Sequence, residues 1–371
     1  MRYQFVTSSL LFIWTILHSF SAYSQEISEL QYHETVFTDV SKTQKGQQDF
    51  KLLNRIIELI DATPKGEEIT VCIFKFSYKK ITEALIRAKQ RGVGVRIILN
   101  KGSTSNEDNE KNKERLKEHF DDFYFIKNDI SKKGIIHNKF ILFSRTNVGG
   151  TFHDHIILQT STNFQKKSAY KLQDMVVFSD KEIYDGYMKY WIQILSHRNK
   201  KTLADFNCFN VKNTSETVNV YFYPKRREGK KYGKDDIKKI LKSVQNPENA
   251  TIKFAHGKWD DERLDIIEEL KELQSEASNL EIITNKNIDE SAKDELIQFG
   301  NDLILLNNSI NMHTKFLLIQ DGNSKMVITG SHNITERSLR ENFEVLIVFR
   351  NELLYNSYNN YFEEIEKAEV K

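Results

Sequence analysis

His137-Asn138-Lys139-Phe140-Ile141-Leu142-Phe143 returns later in the chain as His313-Thr314-Lys315-Phe316-Leu317-Leu318-Ile319. Each copy is followed by Ser-x-Asn and then an acid: Ser161, Asn163 and Asp174 in the first, Ser331, Asn333 and Glu344 in the second. Ser to acid is 13 residues and Asn to acid 11 in both copies. Only the His-to-Ser interval differs, 24 residues against 18. That places a six-residue insertion around Asn147-Val148-Gly149-Gly150, whose composition reads as a loop. Two copies of one polar constellation point to two halves of one active site.

The repeat extends outward from these residues, as a true duplication must. Ahead of the first copy, the apolar spacing predicts a helix over 50–62, a strand over 69–76, a helix over 81–90 and a strand over 95–100. Ahead of the second the same order returns at 235–245, 251–255, 262–273 and 280–285, and both final strands end in Asn-Lys, Asn100-Lys101 and Asn285-Lys286. After each acid comes an apolar strand, 175–178 or 345–349. A helix with an aromatic stripe follows: Tyr184, Tyr187, Tyr190 and Trp191, or Tyr355, Tyr358, Tyr361 and Phe362. Helical spacing alone explains those stripes as core. A strand at 34–38 opens the first unit and one at 218–223 the second, with a polar linker between the units and a boundary near residue 210.

The 371 residues suffice for two domains that each bury a core. A formal net charge of +2 provides no global field toward nucleic acid or an anionic membrane. Lys225-Arg226-Arg227 with Lys230-Lys231, and Lys132-Lys133, can hold phosphates, although a solvated surface is the better reading of each run taken alone. Residues 1–24 have the form of a secretory signal: Arg2, an apolar core from Leu10 to Leu17, and Ala22-Tyr23-Ser24 before Gln25. The expected location is therefore secreted or periplasmic, with 25–209 as the first domain and 210–371 as the second. Cys72 and Cys208 are too few for a disulfide framework, and Cys72, between Val71 and Ile73, reads as a small core residue. His153-Asp154-His155 lacks a third metal ligand at recognisable spacing and reads as loop.

Side chains two apart on a strand share a face, so each His and its Lys point into one pocket. A neutral imidazole can attack phosphorus while the ammonium offsets charge on the non-bridging oxygens. Ser161, Asn163, Ser331 and Asn333 add hydroxyl and amide donors for the same oxygens. Asp174 and Glu344 are expected to accept the Nδ1 proton of the histidine in their own repeat and so fix its tautomer. His332, inside the second Ser-x-Asn, and His256, at a strand end, are placed to reach the pocket rim.

These motifs resemble the phospholipase D superfamily, whose pattern is H-x-K-x(4)-D followed by G-S-x-N and a later acid. The second copy matches through His313, Lys315, Gly330, Ser331, Asn333 and Glu344, the first through His137, Lys139, Ser161, Asn163 and Asp174. The likeness spans roughly residues 35–367 and departs from the pattern in three places. Ser144 and Gln320 stand where the motif has Asp, with Asp321 one place late, and Thr160 stands where the first copy should have Gly. The resemblance implies an α/β fold of two tandem repeats, each a mixed β-sheet flanked by helices, packed with pseudo-twofold symmetry. It also implies a phosphodiesterase that uses no metal or other cofactor and passes through a phosphohistidine. His137 would be the nucleophile and His313 the proton donor, with Lys139, Lys315, Asn163 and Asn333 on the phosphoryl oxygens. The near-symmetry of the halves leaves the reverse assignment open.

Two substrates fit that chemistry. A phosphatidyl lipid such as phosphatidylcholine, met at a membrane surface, requires exposed apolar side chains at the cleft mouth. Extracellular DNA or RNA requires a basic groove with aromatic platforms. The near-neutral charge and the acids within 102–122 favour the lipid, and no stable protein partner is expected.

Overall fold

The computed structural model describes residues 32–101, 107–128, 134–198, 208–225, 235–276, 279–307 and 309–369. The signal at 1–24, Lys132-Lys133 and the basic run from Arg226 to Lys231 lie outside the described residues. The first sheet comprises β1 (His33–Phe37), β2 (Glu68–Ile73), β3 (Gly94–Asn100), β4 (Phe123–Ile126), β5 (Lys139–Val148), β6 (Thr151–Thr160) and β7 (Asp174–Ser179). Its order is β1-β7-β6-β5-β2-β3-β4. The second comprises β8 (Phe209–Lys212), β9 (Val218–Phe222), β10 (Thr251–His256), β11 (Asn279–Asn285), β12 (Leu303–Leu306), β13 (Lys315–Asp321), β14 (Ser324–Gly330) and β15 (Val345–Phe349). Its order is β8-β9-β15-β14-β13-β10-β11-β12, the first order with one strand added at the edge. In both sheets three consecutive strands run parallel, β2-β3-β4 and β10-β11-β12, and the rest pair antiparallel. The chain is thus a duplicated α/β unit with two mixed sheets, as its periodicity predicts.

Each sheet has an inner and an outer face. Ile69, Val71 and Ile73 of β2 join the outer cluster with the helix Lys51–Asp61, whose Leu52, Leu53, Ile56, Leu59 and Ile60 line one side at helical spacing. Cys72, alternate to them, faces the inner cluster. That inner cluster is common to both units. It joins Phe140, Leu142, Val176 and Phe178 to Phe316, Leu318, Val345 and Ile347, with the aromatic stripes of the helices Lys181–Ser196 and Glu352–Glu369 between them. The stripes are core, and they form the interface between the repeats.

The insertion is not a loop. β5 and β6 have ten residues each where β13 and β14 have seven, so the hairpin grows by three residues on each arm and closes at Gly149-Gly150, both at positive φ. His153-Asp154-His155 accordingly lies in β6, with the His153 ring stacked on Tyr32. The segment read as linker also supplies β8, whose four residues are too few to give a readable alternation.

Candidate active site

Both histidines stand at the interface of the repeats. Asn100, ending β3, accepts the Ile136 N–H at 2.8 Å, and Asn285, ending β11, accepts the Met312 N–H at 2.9 Å. The shared Asn-Lys dipeptides are thus brackets for the residue before each His. The opposite repeat holds the next residue: the His137 N–H donates to the Phe343 carbonyl and the His313 N–H to the Leu172 carbonyl, each at 2.9 Å. Lys139 Nζ and Lys315 Nζ donate at 2.6 Å to the carbonyls of His137 and His313. Asn163 is buried, with no hydrogen-bond partner for its Oδ1 among the described residues, and Asn333 lines one cavity with His137, His313 and Lys315.

Ser161 and Ser331 do something other than expected. Both are fully buried. Ser331 Oγ donates to Glu344 Oε2 at 2.5 Å, and Ser161 Oγ donates to Gln173 Oε1 at 3.2 Å. Each also accepts a strand N–H, from Val345 and Asp174 respectively. Their hydroxyls are used in orienting the next group instead of reaching a phosphate.

The acids cross between repeats, and only one meets a histidine. His137 Nδ1 lies 2.9 Å from the carboxylate of Glu344, the acid of the other half. His313 Nδ1 meets the amide oxygen of Gln173 at 3.1 Å. Asp174 accepts from Thr314 Oγ1 (2.5 Å), Thr329 Oγ1 (2.9 Å) and the Tyr358 hydroxyl (3.1 Å), an interdomain clasp without a histidine. Strand pairing explains this. Phe37 pairs with Asp174 where Phe222 pairs with Val345, and Thr160 with Met175 where Gly330 pairs with Leu346. Asp174 therefore matches Val345 and Gln173 matches Glu344, so the equal Ser-to-acid spacing compares residues one place out of register. The connections hide the slip: the first passes through the 3-10 turn Lys166–Tyr170 and the second through the helix Glu336–Arg340.

Charge follows from this arrangement. Burial pushes the His137 imidazole down, Glu344 opposes it, and the lysines deepen the shift, leaving it at about 4. Burial pushes Glu344 up, but His137 and Lys139 draw it down, so it stays ionised. Burial and then Lys315, Lys171 and Lys139 hold His313 well below the ordinary histidine range. Burial lowers Lys315 to about 8 against the pull of Asp174 and Glu344.

The departures from the motif have local substitutes. Gly330 sits at φ +144, where a side chain would run into the Val345 carbonyl. Thr160 in its place donates its hydroxyl to the Asp174 carbonyl at 2.7 Å. Ser144 Oγ accepts the Glu68 N–H and donates to Glu67, while Asp321 accepts from the Gln245 N–H and the Asn246 amide. Both positions tie the strand that follows the His-x-Lys to an earlier segment of its own repeat, at or just ahead of the start of β2 or β10. His256 and His332 are buried against Phe254 and Tyr223 respectively, and neither lines the cavity.

That cavity, about 750 Å3, lies mostly in the second half: among the described residues that line it, Phe74, Ile135 and His137 come from the first. The family model described as "Cardiolipin synthase, PLD-like domain" matches residues 56–195 and 238–366. No curated protein matches the sequence. Among solved structures, phosphatidylserine synthase of Haemophilus influenzae Rd KW20 is 12% identical over 90% of this chain and 86% of its own, with a TM-score of 0.62. Polyphosphate kinase of Porphyromonas gingivalis is 15% identical over 90% of this chain, with a TM-score of 0.57, and this chain spans 50% of its length. A mutant yeast tyrosyl-DNA phosphodiesterase is 9% identical over 86% of this chain and 89% of its own, with a TM-score of 0.51. The chain belongs to the phospholipase D superfamily.

Proposed function

We propose that the protein cleaves phosphodiesters by double displacement, with His137 as nucleophile and His313 as the acid and then the base. The observation that carries this reading is the carboxylate of Glu344 at His137 Nδ1, opposite the neutral amide of Gln173 at His313. A carboxylate there orients the ring and stabilises the positive charge that an attacking imidazole acquires. Nε2 of His137 forms the bond to phosphorus as the bond to the leaving oxygen breaks, and His313 supplies that oxygen's proton. Water then attacks the phosphohistidine, giving its proton back to His313. Lys139, Lys315, Asn163 and Asn333 stand around the phosphoryl oxygens.

For the substrate, the walls of the cleft shift the balance from the lipid toward a nucleic-acid strand. The exposed large apolar residues among those described are Phe152, Tyr170, Ile192, Ile297 and Leu353, and none lines the cavity. On the first-half side, burial and the charges of Lys75 and Lys167 depress Lys171, which in turn acts on His313. In a separate pocket of the same half, Lys79, Lys80 and Lys166 line the walls together with Phe50 and Tyr78, whose rings stack 5.8 Å apart. Lysines beside a stacked aromatic pair suit a strand's phosphates and bases. The lipid reading retains one favourable feature, since the cavity beside His313 has room for a headgroup alcohol. The residue 1–24 pattern supports action outside the cytoplasm.

The test offers purified protein single-stranded DNA and phosphatidylcholine vesicles in parallel, with chelator present. DNA cleavage without headgroup release is the expected result. Choline release alone returns the assignment to the lipid, and loss of all activity in chelator counts against the metal-free route.

A further inference from the structure

We infer that the second half carries a subsite for the leaving alcohol, built around Asp260, which selects an alcohol bearing further hydroxyl groups. This inference rests on the double-displacement reading and adds the chemistry of the departing group. Asp260 lines the same cavity as His313 and Lys315. Its Oδ2 accepts the Glu336 N–H at 2.9 Å, whereas its Oδ1 is buried and lacks a hydrogen-bond partner among the described residues. A buried carboxylate oxygen without a donor is costly, and a ligand hydroxyl supplies one. Burial also lifts this carboxyl to about 6, against the pull of the Glu336 N–H and Arg263.

The matched position in the first half has neither the acid nor the space. Phe76 bridges Phe164 as Trp259 bridges Ile334, so Ser77 corresponds to Asp260 and Phe74 to Gly257. The Phe74 ring lies 5.1 Å from that of His137 and covers it. Gly257 leaves the space beside His313 open, and any side chain there would meet the Met312 carbonyl and the Asn285 amide. The proton donor of the first step therefore faces the roomier chamber, where the departing alcohol must lie. Lys258, Lys315 and Arg337 line it as well and outnumber its carboxylates, Asp260 and Asp289, which disfavours an ammonium group. The exposed amides of Asn287 and Asn311 both donate and accept, as hydroxyls require.

By microscopic reversibility an acceptor alcohol enters through the same subsite. Bis(4-nitrophenyl) phosphate would load His137 with release of one nitrophenol. The adduct then partitions between water and ethanol, ethanolamine, glycerol, inositol or uridine at equal concentration. In transfer the His137–phosphorus bond breaks, the alcohol oxygen bonds phosphorus, and its proton passes to His313. The expected result, by mass spectrometry, is about 10-fold more transfer per hydroxyl to glycerol, inositol or uridine than to ethanol, with that ratio collapsing in Asp260→Ala. Preference for uridine over glycerol identifies a nucleoside sugar, and the converse a polyol headgroup. Equal transfer to ethanol, a ratio unchanged in Asp260→Ala, or preference for ethanolamine overturns the subsite. Absence of nitrophenol release would instead count against the phosphodiesterase chemistry. Calorimetric titration of inositol and uridine into wild type and Asp260→Ala then decides the subsite, with absence of binding, or binding unchanged by the substitution, overturning it.

Discussion

Where the first half carries Phe74, Ser77 and Gln173, the second carries Gly257, Asp260 and Glu344 at the matched positions. The lysines and the asparagines of the two halves agree. A phosphoryl group has equivalent non-bridging oxygens, so a duplicated cradle serves it well. Its two ester sides differ in chemistry, and there the copies diverge. Glu344, an acid where the first half has an amide, marks the partner of the proposed nucleophile. The Phe-to-Gly exchange marks the side with room for a departing group.

The strongest way to break this division of roles is to find the covalent adduct on the other histidine. His137→Asn is expected to lower turnover about 10^4-fold or more and to abolish the adduct. His313→Asn should accumulate it on His137 from an ester with a good leaving group, as seen by peptide mass spectrometry. An adduct on His313 in the wild type reverses the roles.

A second measurement exchanges the groups behind the imidazoles. Glu344→Gln should cost about 10^3-fold or more in kcat, since the ring keeps a partner but loses the compensating charge. Joining it to Gln173→Glu should move part of the adduct to His313. If Glu344→Gln is silent, the carboxylate does not set the asymmetry.

Smaller effects sharpen the electrostatics. Attack requires neutral His137 and protonated His313, and both are held below their ordinary range in the free enzyme. The rate kcat/KM should rise as pH climbs through the His137 value near 4 and fall as it passes that of His313. The optimum is then below pH ~6.5. Gln173→Glu should raise the His313 value and carry the falling limb about one unit toward alkaline pH. A wild-type optimum above pH ~7 contradicts the assignment.

The smallest expected change separates structural from catalytic acids. Asp174→Asn leaves one of three buried donors without an acceptor and should cost about 2 kcal/mol of stability, read as a lower Tm, with His137 still able to form its adduct. A loss of adduct formation in a fully folded variant would return Asp174 to the catalytic set.

Much of this was legible in the chain. The helices lining the outer clusters, the first two strands of each parallel triplet, the two histidines with their lysines, and the core role of the aromatic stripes all follow from periodicity and repetition, whereas β4 and β12, four residues each, were too short to read. Register was not legible. Counting from Ser161 and Ser331 pairs Asp174 with Glu344, because a linear count cannot tell a turn from a slightly longer helix between two fixed strands. The ladder can, since Asp174 and Val345 pair with matched phenylalanines. Gln173 was overlooked because an amide gives no sequence signal for an acid's place.

The sequence by itself determined the family and the duplication and supplied the candidate reacting groups, because these depend on local patterns and side-chain chemistry. Tertiary structure alone decided which acid meets which histidine, that both serines orient the group behind a histidine, and which side of the cleft is open. Those are distances between residues far apart in the chain, set where two sheets share one core.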